Sequence, residues 1–146
     1  MKAFKFKLQR VLDLRLSREQ EAQRVLASVQ RTRTRLQESL QQAESARQQA
    51  SHDLKSGMVG VLSIDDLRLH AALGQQHARR SRQLVIELAA MQPQIEAART
   101  ALIKATSERR GLEYIRDRAL GEWRKECRRV ERRDEAELAV IGASMA

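Results

Sequence analysis

The chain has 146 residues and a formal net charge of +9, with 32% charged residues, 3% aromatics and a single proline. That length suits one domain, but a core so poor in aromatics must be built from Leu, Val, Ile and Ala. Apolar residues at 42% are too many for a chain unable to collapse. The wealth of Ala, Leu, Arg, Gln and Glu argues against a sandwich, a barrel or a doubly wound sheet and points to long helices packed along a narrow seam.

The N-terminus, Met1-Lys-Ala-Phe-Lys-Phe-Lys, alternates charged with apolar residues, so it lacks the apolar core of a signal peptide. From Leu8 a seven-residue repeat begins. Taking Leu8 as position a gives Leu8, Arg15, Ala22, Val29, Leu36, Ala43 and Ala50, of which six are apolar. The d column is weaker, with Val11, Arg18, Val25, Thr32, Ser39 and Ala46, while the neighbouring e column adds Leu12, Leu26, Leu40 and Leu54. This pattern predicts a coiled-coil helix with a broadened seam over about 4–56.

Ser56-Gly-Met-Val-Gly60 is the strongest break in the chain, and it predicts a turn over about 57–63 with Gly57 in the left-handed position that ends a helix. Ser63 then reads as an N-cap, with Asp65 and Asp66 supplying negative charge to a new first turn. A second helix is predicted over about 64–140. Its a column is Leu88, Ile95, Leu102, Arg109, Arg116, Trp123 and Val130, and its d column Leu84, Met91, Ala98, Ala105, Leu112, Ala119 and Glu126. Pro93 falls between Met91 and Ile95 and predicts a local kink within one helix.

Two long amphipathic helices joined by a short glycine-containing link predict an all-α fold, a long antiparallel two-helix coiled-coil hairpin forming one domain over 1–146. Reflection about residue ~60 sets Leu8 beside ~112 and Met1 near ~119, given about 1.5 Å of rise per residue in both helices. Residues beyond about 120 would then form a protruding C-terminal helix, leaving Trp123 and Val130 partly exposed as a docking strip.

Chemistry is sparse. The single cysteine, Cys127, excludes an internal disulfide and reads as a plain, partly exposed residue. No phosphate loop, paired-histidine zinc helix or nucleophile elbow is present, and His52, His70 and His77 read as solvated. A two-helix hairpin offers no pocket in which to shift carboxylate pKa values, so neither enzymatic activity nor a metal or other cofactor is expected. The longest apolar stretch, Leu84 to Met91, is interrupted by Glu87 and falls far short of the roughly 20 residues of a membrane span. A cytosolic chain with no transmembrane segment is expected. Lysine occurs at only six positions, so the basicity is mostly arginine, which favours planar acidic partners. The densest cluster, Arg124 to Arg133, interleaves with Glu126 and Glu131 and lacks stacking aromatics, so specific nucleic-acid binding is disfavoured.

The ends of the chain carry a resemblance. Phe4-Lys-Phe-Lys-Leu-Gln-Arg-Val-Leu-Asp-Leu-Arg, followed by Glu19-Gln-Glu-Ala-Gln, resembles the N-terminus of the flagellar FliJ export protein family. Glu131-Arg-Arg-Asp-Glu-Ala-Glu-Leu-Ala resembles that family's C-terminal end, and Gly57 to Leu67 its hairpin tip. The stalk proteins of virulence type III secretion systems look similar. The resemblance implies an antiparallel coiled coil like the central shaft of rotary ATPases, peripheral at the cytoplasmic side of the inner membrane. Its implied partners are the hexameric flagellar export ATPase, the cytoplasmic domain of the export gate, and export chaperones. Carried onto this chain, ring docking falls to Leu8, Val11, Leu12, Trp123, Arg124, Arg128, Arg129, Arg132 and Arg133. Gate or chaperone binding falls near the tip, to Ala46, Ala50, Leu67, Leu69 and Leu73. Alternatives left open are a virulence-system stalk, a free adaptor for export substrates or chaperones, a nucleic-acid-binding coiled coil, and a spacer with no activity of its own.

Overall fold

The computed structural model describes residues 2–58, 60 and 63–146. Two helices, α1 (Gln9–Gly57, 49 residues) and α2 (Ile64–Ser144, 81 residues), pack against each other as an all-α hairpin. No strand occurs among the described residues.

The helix ends follow from local chemistry. Residues 2–6 are not helical, so α1 starts later than the repeat alone suggests. None of the residues from Lys2 to Leu8 is a Ser, Thr, Asp or Asn able to cap an earlier start. A turn closes instead, with Gln9 N–H donating to the Phe6 carbonyl at 3.2 Å. At the far end Met58 N–H donates to the Leu54 carbonyl at 3.1 Å, and Lys55 lies in the last turn, where a cation suits the helix dipole. The left-handed backbone sits at Gly60, with φ of 120°, and not at Gly57, which closes α1 as a helical residue. Gly60 carries this conformation because it has no Cβ to clash. The remainder of the expected turn, Val59, Val61 and Leu62, lies outside the described residues. Ser63 caps α2 as its position predicts, its Oγ accepting from Asp65 N–H at 3.2 Å and Asp66 N–H at 3.4 Å.

Pro93 lies within a continuous α2. Its ring nitrogen has no hydrogen to give the Ala89 carbonyl, four residues back. Both residues are exposed, so water can take the place of the missing donor.

The chain divides into two compact units, to which both helices contribute. The first comprises residues 1–22 and 102–146, the second residues 23–101. In the second unit Ala43, Leu84, Met91, Ile95 and Ala98 form the buried core. In the first, Leu12 is 1% exposed and Glu19 is buried with it. Fully burying one Leu or Ile contributes about 1.5–3 kcal/mol.

Along α2, every expected a and d position from Leu84 to Val130 is buried or half-buried. Along α1 the broadened seam leans towards its e side. It follows the a and e columns, through Leu12, Arg15, Glu19, Ala22, Leu26, Val29, Leu36, Leu40, Ala43 and Ala50. Of the d residues, Val11, Arg18, Val25 and Thr32 are exposed, whereas Ser39 and Ala46 are half-buried. The physical reason is that column e supplies four leucines, whereas column d supplies Arg, Thr and Ser. A helix turns its larger apolar surface inward.

The pairing register also differs from the reflection about residue 60. In the first unit Arg15 meets Glu108 and Phe4 lies against Trp123. Pairing therefore runs on to Trp123, past the expected limit near residue 120. The offset is already present within the helices, where Glu19 of α1 meets Arg109 of α2, so it precedes the non-helical lead-in. The expected position of Met1 lies outside the described residues.

Candidate functional site

The first unit holds a polar layer, an aromatic contact and a stretch of exposed helix. The polar layer comes from seam positions occupied by charged residues. Glu19 of α1 is 8% exposed, and one of its carboxylate oxygens accepts from the Arg109 Nε of α2. Its other oxygen accepts from the Thr106 hydroxyl at 3.2 Å. Arg109 also donates to Glu113 at 2.7 Å, so its guanidinium is shared between two carboxylates. Those hydrogen bonds, Glu19 first and Glu113 second, raise the Arg109 pKa above its already high ordinary value. A second interhelical pair, Arg15 to Glu108, lies beside it and is half-buried. An ionised carboxylate tolerates such a position only when its oxygens are satisfied, as those of Glu19 are.

Nearer the termini, the Phe4 and Trp123 rings pack with centroids 5.9 Å apart and planes tilted by 53°. Tilted pairs at this distance use the positive ring edge against the negative face. Trp123, expected on an unpaired helix, is thus half-buried and engaged with the lead-in segment. Lys2, Ala3 and Lys5 line the same surface as Trp123.

Past Trp123, α2 changes character. Lys125, Arg128, Arg129 and Arg132 surround one shallow hollow. Their i, i+3, i+4, i+7 spacing places four cations on one helix face. Lys125 and Arg129 are partly neutralised by Glu122 at 3.1 Å and Glu126 at 2.8 Å. Arg133 pairs with Glu137 at 3.0 Å. Arg124, Arg128 and Arg132 make no salt bridge among the described residues. Every residue from 131 to 146 is exposed. The apolar residues at this end, including Leu138 and Val140, are 54–84% exposed, and Ala136, Val140 and Ile141 share a hollow with Arg133 and Glu137.

The residues expected to dock divide accordingly. Arg124, Arg128, Arg129, Arg132 and Arg133 are exposed. Leu8 and Val11 are 40% and 39% exposed. Leu12 is a correction: it is buried in the first unit's core, so it packs the helix pair and is not available to a partner. Lys125 escaped the sequence reading, although the i, i+3, i+4, i+7 count over 125–132 would have found it. The polar layer escaped too. Glu19 stands in the column that became the seam and Arg109 in one already assigned to it, but nothing in either repeat says which charged residues face each other.

In the second unit, Leu69 and Leu73 are exposed at 58% and 38%, whereas Ala46, Ala50 and Leu67 are half-buried. His52 is exposed and His70 and His77 are half-buried. Among the described residues no helix is long and apolar enough to cross a membrane, and no cluster of three or more His, Cys, Asp or Glu is placed to hold a metal ion.

No curated protein and no solved structure matches the chain. The family described as flagellar FliJ protein does match, over residues 4–144.

Proposed function

Because the chain belongs to the flagellar FliJ family, we propose that it is a stalk of the flagellar type III export apparatus, whose terminal end docks in the hexameric export ATPase. In this reading the exposed end of α2 enters the ring as a protruding helix and promotes ring assembly. The tip, around Leu67, Leu69 and Leu73, then faces the export gate or its chaperones at the cytoplasmic side of the inner membrane.

The observation that carries the reading is the stretch from Lys125 to Met145. It presents four cations on one face, followed by exposed apolar residues, beside the Phe4–Trp123 contact that ties down the N-terminal segment. Cations with few internal partners are free to meet carboxylates of a partner, which then displace only water. Leu8 and Val11 add apolar surface on the same unit.

Mixing the intact chain with its export ATPase should raise both the hexamer fraction on size-exclusion chromatography and the rate of ATP hydrolysis. A chain ending at Ala119 should lose most of that stimulation and keep its binding to the gate. Full stimulation by the shortened chain would overturn the docking assignment, and the reverse pattern, gate binding lost with stimulation kept, would favour a free adaptor. The family match favours flagellar over virulence export, since the matching family is the flagellar one.

A further inference from the structure

The second unit carries an apolar surface that the helix pair leaves uncovered. Leu84, Leu88 and Met91 enter the seam, but Val85 is 53% and Ile86 69% exposed. Ala89, Ala90 and Pro93 are exposed and continue the same flank of α2. At about 100° per residue, positions 78, 82, 85, 86, 89 and 93 fall on one side of the seam.

Beside Val85 and Ile86 lies a hollow, lined by Glu44 and Arg47 of α1 and by Ala78, Ser81 and Arg82 of α2. Its floor is low because this part of the seam is small. Ala43 and Ser81 are buried here, whereas Leu40 and Leu84 hold the neighbouring seam positions. The Ser81 hydroxyl is shut off from solvent and has no hydrogen-bond partner. A buried hydroxyl without a partner costs stability, because it gives up its hydrogen bonds to water and gains none. This stretch therefore gives up seam stability while leaving a wall of large apolar side chains bare.

Two cations, Arg47 and Arg82, and one carboxylate, Glu44, line the hollow, and Arg79 stands on α2 beside it. Arg79 and Arg82 make no salt bridge among the described residues, and Arg47 reaches Glu44 only at 4.0 Å. Arg82 and Arg79 stand four and seven residues before Ile86, on the same side of the helix. A second copy of the chain would bring the same three arginines and another +9 of net charge, which opposes self-pairing.

We propose that this flank is a docking groove for an amphipathic helix of another protein, whose apolar stripe covers Val85, Ile86 and Ala89 and whose acidic residues meet Arg47, Arg79 and Arg82. Helix-in-groove recognition uses such a stripe at i, i+3, i+4 and i+7, and the charged border sets orientation and partner choice. The proposal does not depend on the ring reading, because it uses residues of the other unit only.

The test is fluorescence anisotropy with the full-length chain and a labelled synthetic helix of about 18 residues bearing a Leu stripe flanked by Glu. A control peptide carries Lys in place of each Glu. The Glu peptide should bind and the Lys peptide should not. Ile86→Ser and Arg82→Glu should each weaken binding at least about tenfold, with helicity by circular dichroism unchanged, since both side chains are exposed. Three results would overturn the proposal: equal binding of both peptides, undiminished binding by the two variants, or a dimer of the free chain in sedimentation that Ile86→Ser abolishes.

Discussion

Glu19 and Arg109 define the residue scale. Each occupies a seam position where a leucine would pack, and each is tolerated because the other is there. Removing one member strands the other, whereas removing both exchanges a charged layer for an apolar one. Arg109→Leu alone should therefore lower the thermal midpoint more than the Glu19→Leu/Arg109→Leu double variant does, as read by circular dichroism melting. The pH dependence has a definite sign. The Arg109 pKa is raised in the folded chain, so its stabilising contribution is complete below its unfolded value and is lost only as pH rises through the folded one. An arginine whose pKa is raised keeps its charge throughout the neutral and mildly alkaline range. Titration from about pH 7 to about pH 10 should then leave the melting difference between the native chain and the double variant unchanged. The aromatic pair makes a separate prediction. Phe4→Ala uncovers Trp123, the protein's one tryptophan, and its emission maximum should shift to the red.

At the scale of elements, the two repeats were not equally legible. The columns of α2 were written in large residues, Leu84, Leu88, Met91 and Ile95, and these are the positions that became buried or half-buried. In α1 the strong a column has two partner columns within its broadened seam, and the structure buries or half-buries e at Leu12, Leu26, Leu40 and Leu54 but d only at Ser39 and Ala46. Side-chain size decides the matter, because four leucines bury more apolar area than two valines and an alanine set among Arg, Thr and Ser. Leu12→Ala should accordingly cost about 2–5 kcal/mol in chemical denaturation, and Val25→Ser, at an exposed position, about 0.5 kcal/mol or less. Equal costs would restore the d column. The N-terminal boundary was hidden for a different reason. The repeat runs up to Leu8 without a visible stop, and only the lack of a capping residue before it separates lead-in from helix.

At the scale of the whole molecule, a narrow helical seam explains the composition: few aromatics, one proline and much Ala and Leu. The family was legible at the two termini and the turn, and the matched span of 4–144 agrees with a resemblance running along the whole chain. The proposed docking end was legible as an arginine cluster, though not as a face, since the exposed cations sort onto one side of α2 only when counted at helical spacing. The +9 charge is thereby given a location. Part of it is neutralised within seams and along helix faces, and part stands open at Arg124, Arg128 and Arg132.

The central claim is that this open charge seats the chain in an ATPase ring. The most direct measurement is the hydrolysis rate of the export ATPase titrated with the native chain and with an Arg128→Glu/Arg132→Glu variant at moderate ionic strength. Stimulation by the native chain, reduced at least about tenfold in potency by the variant, is the predicted result. No stimulation by the native chain, or equal stimulation by both, would contradict it.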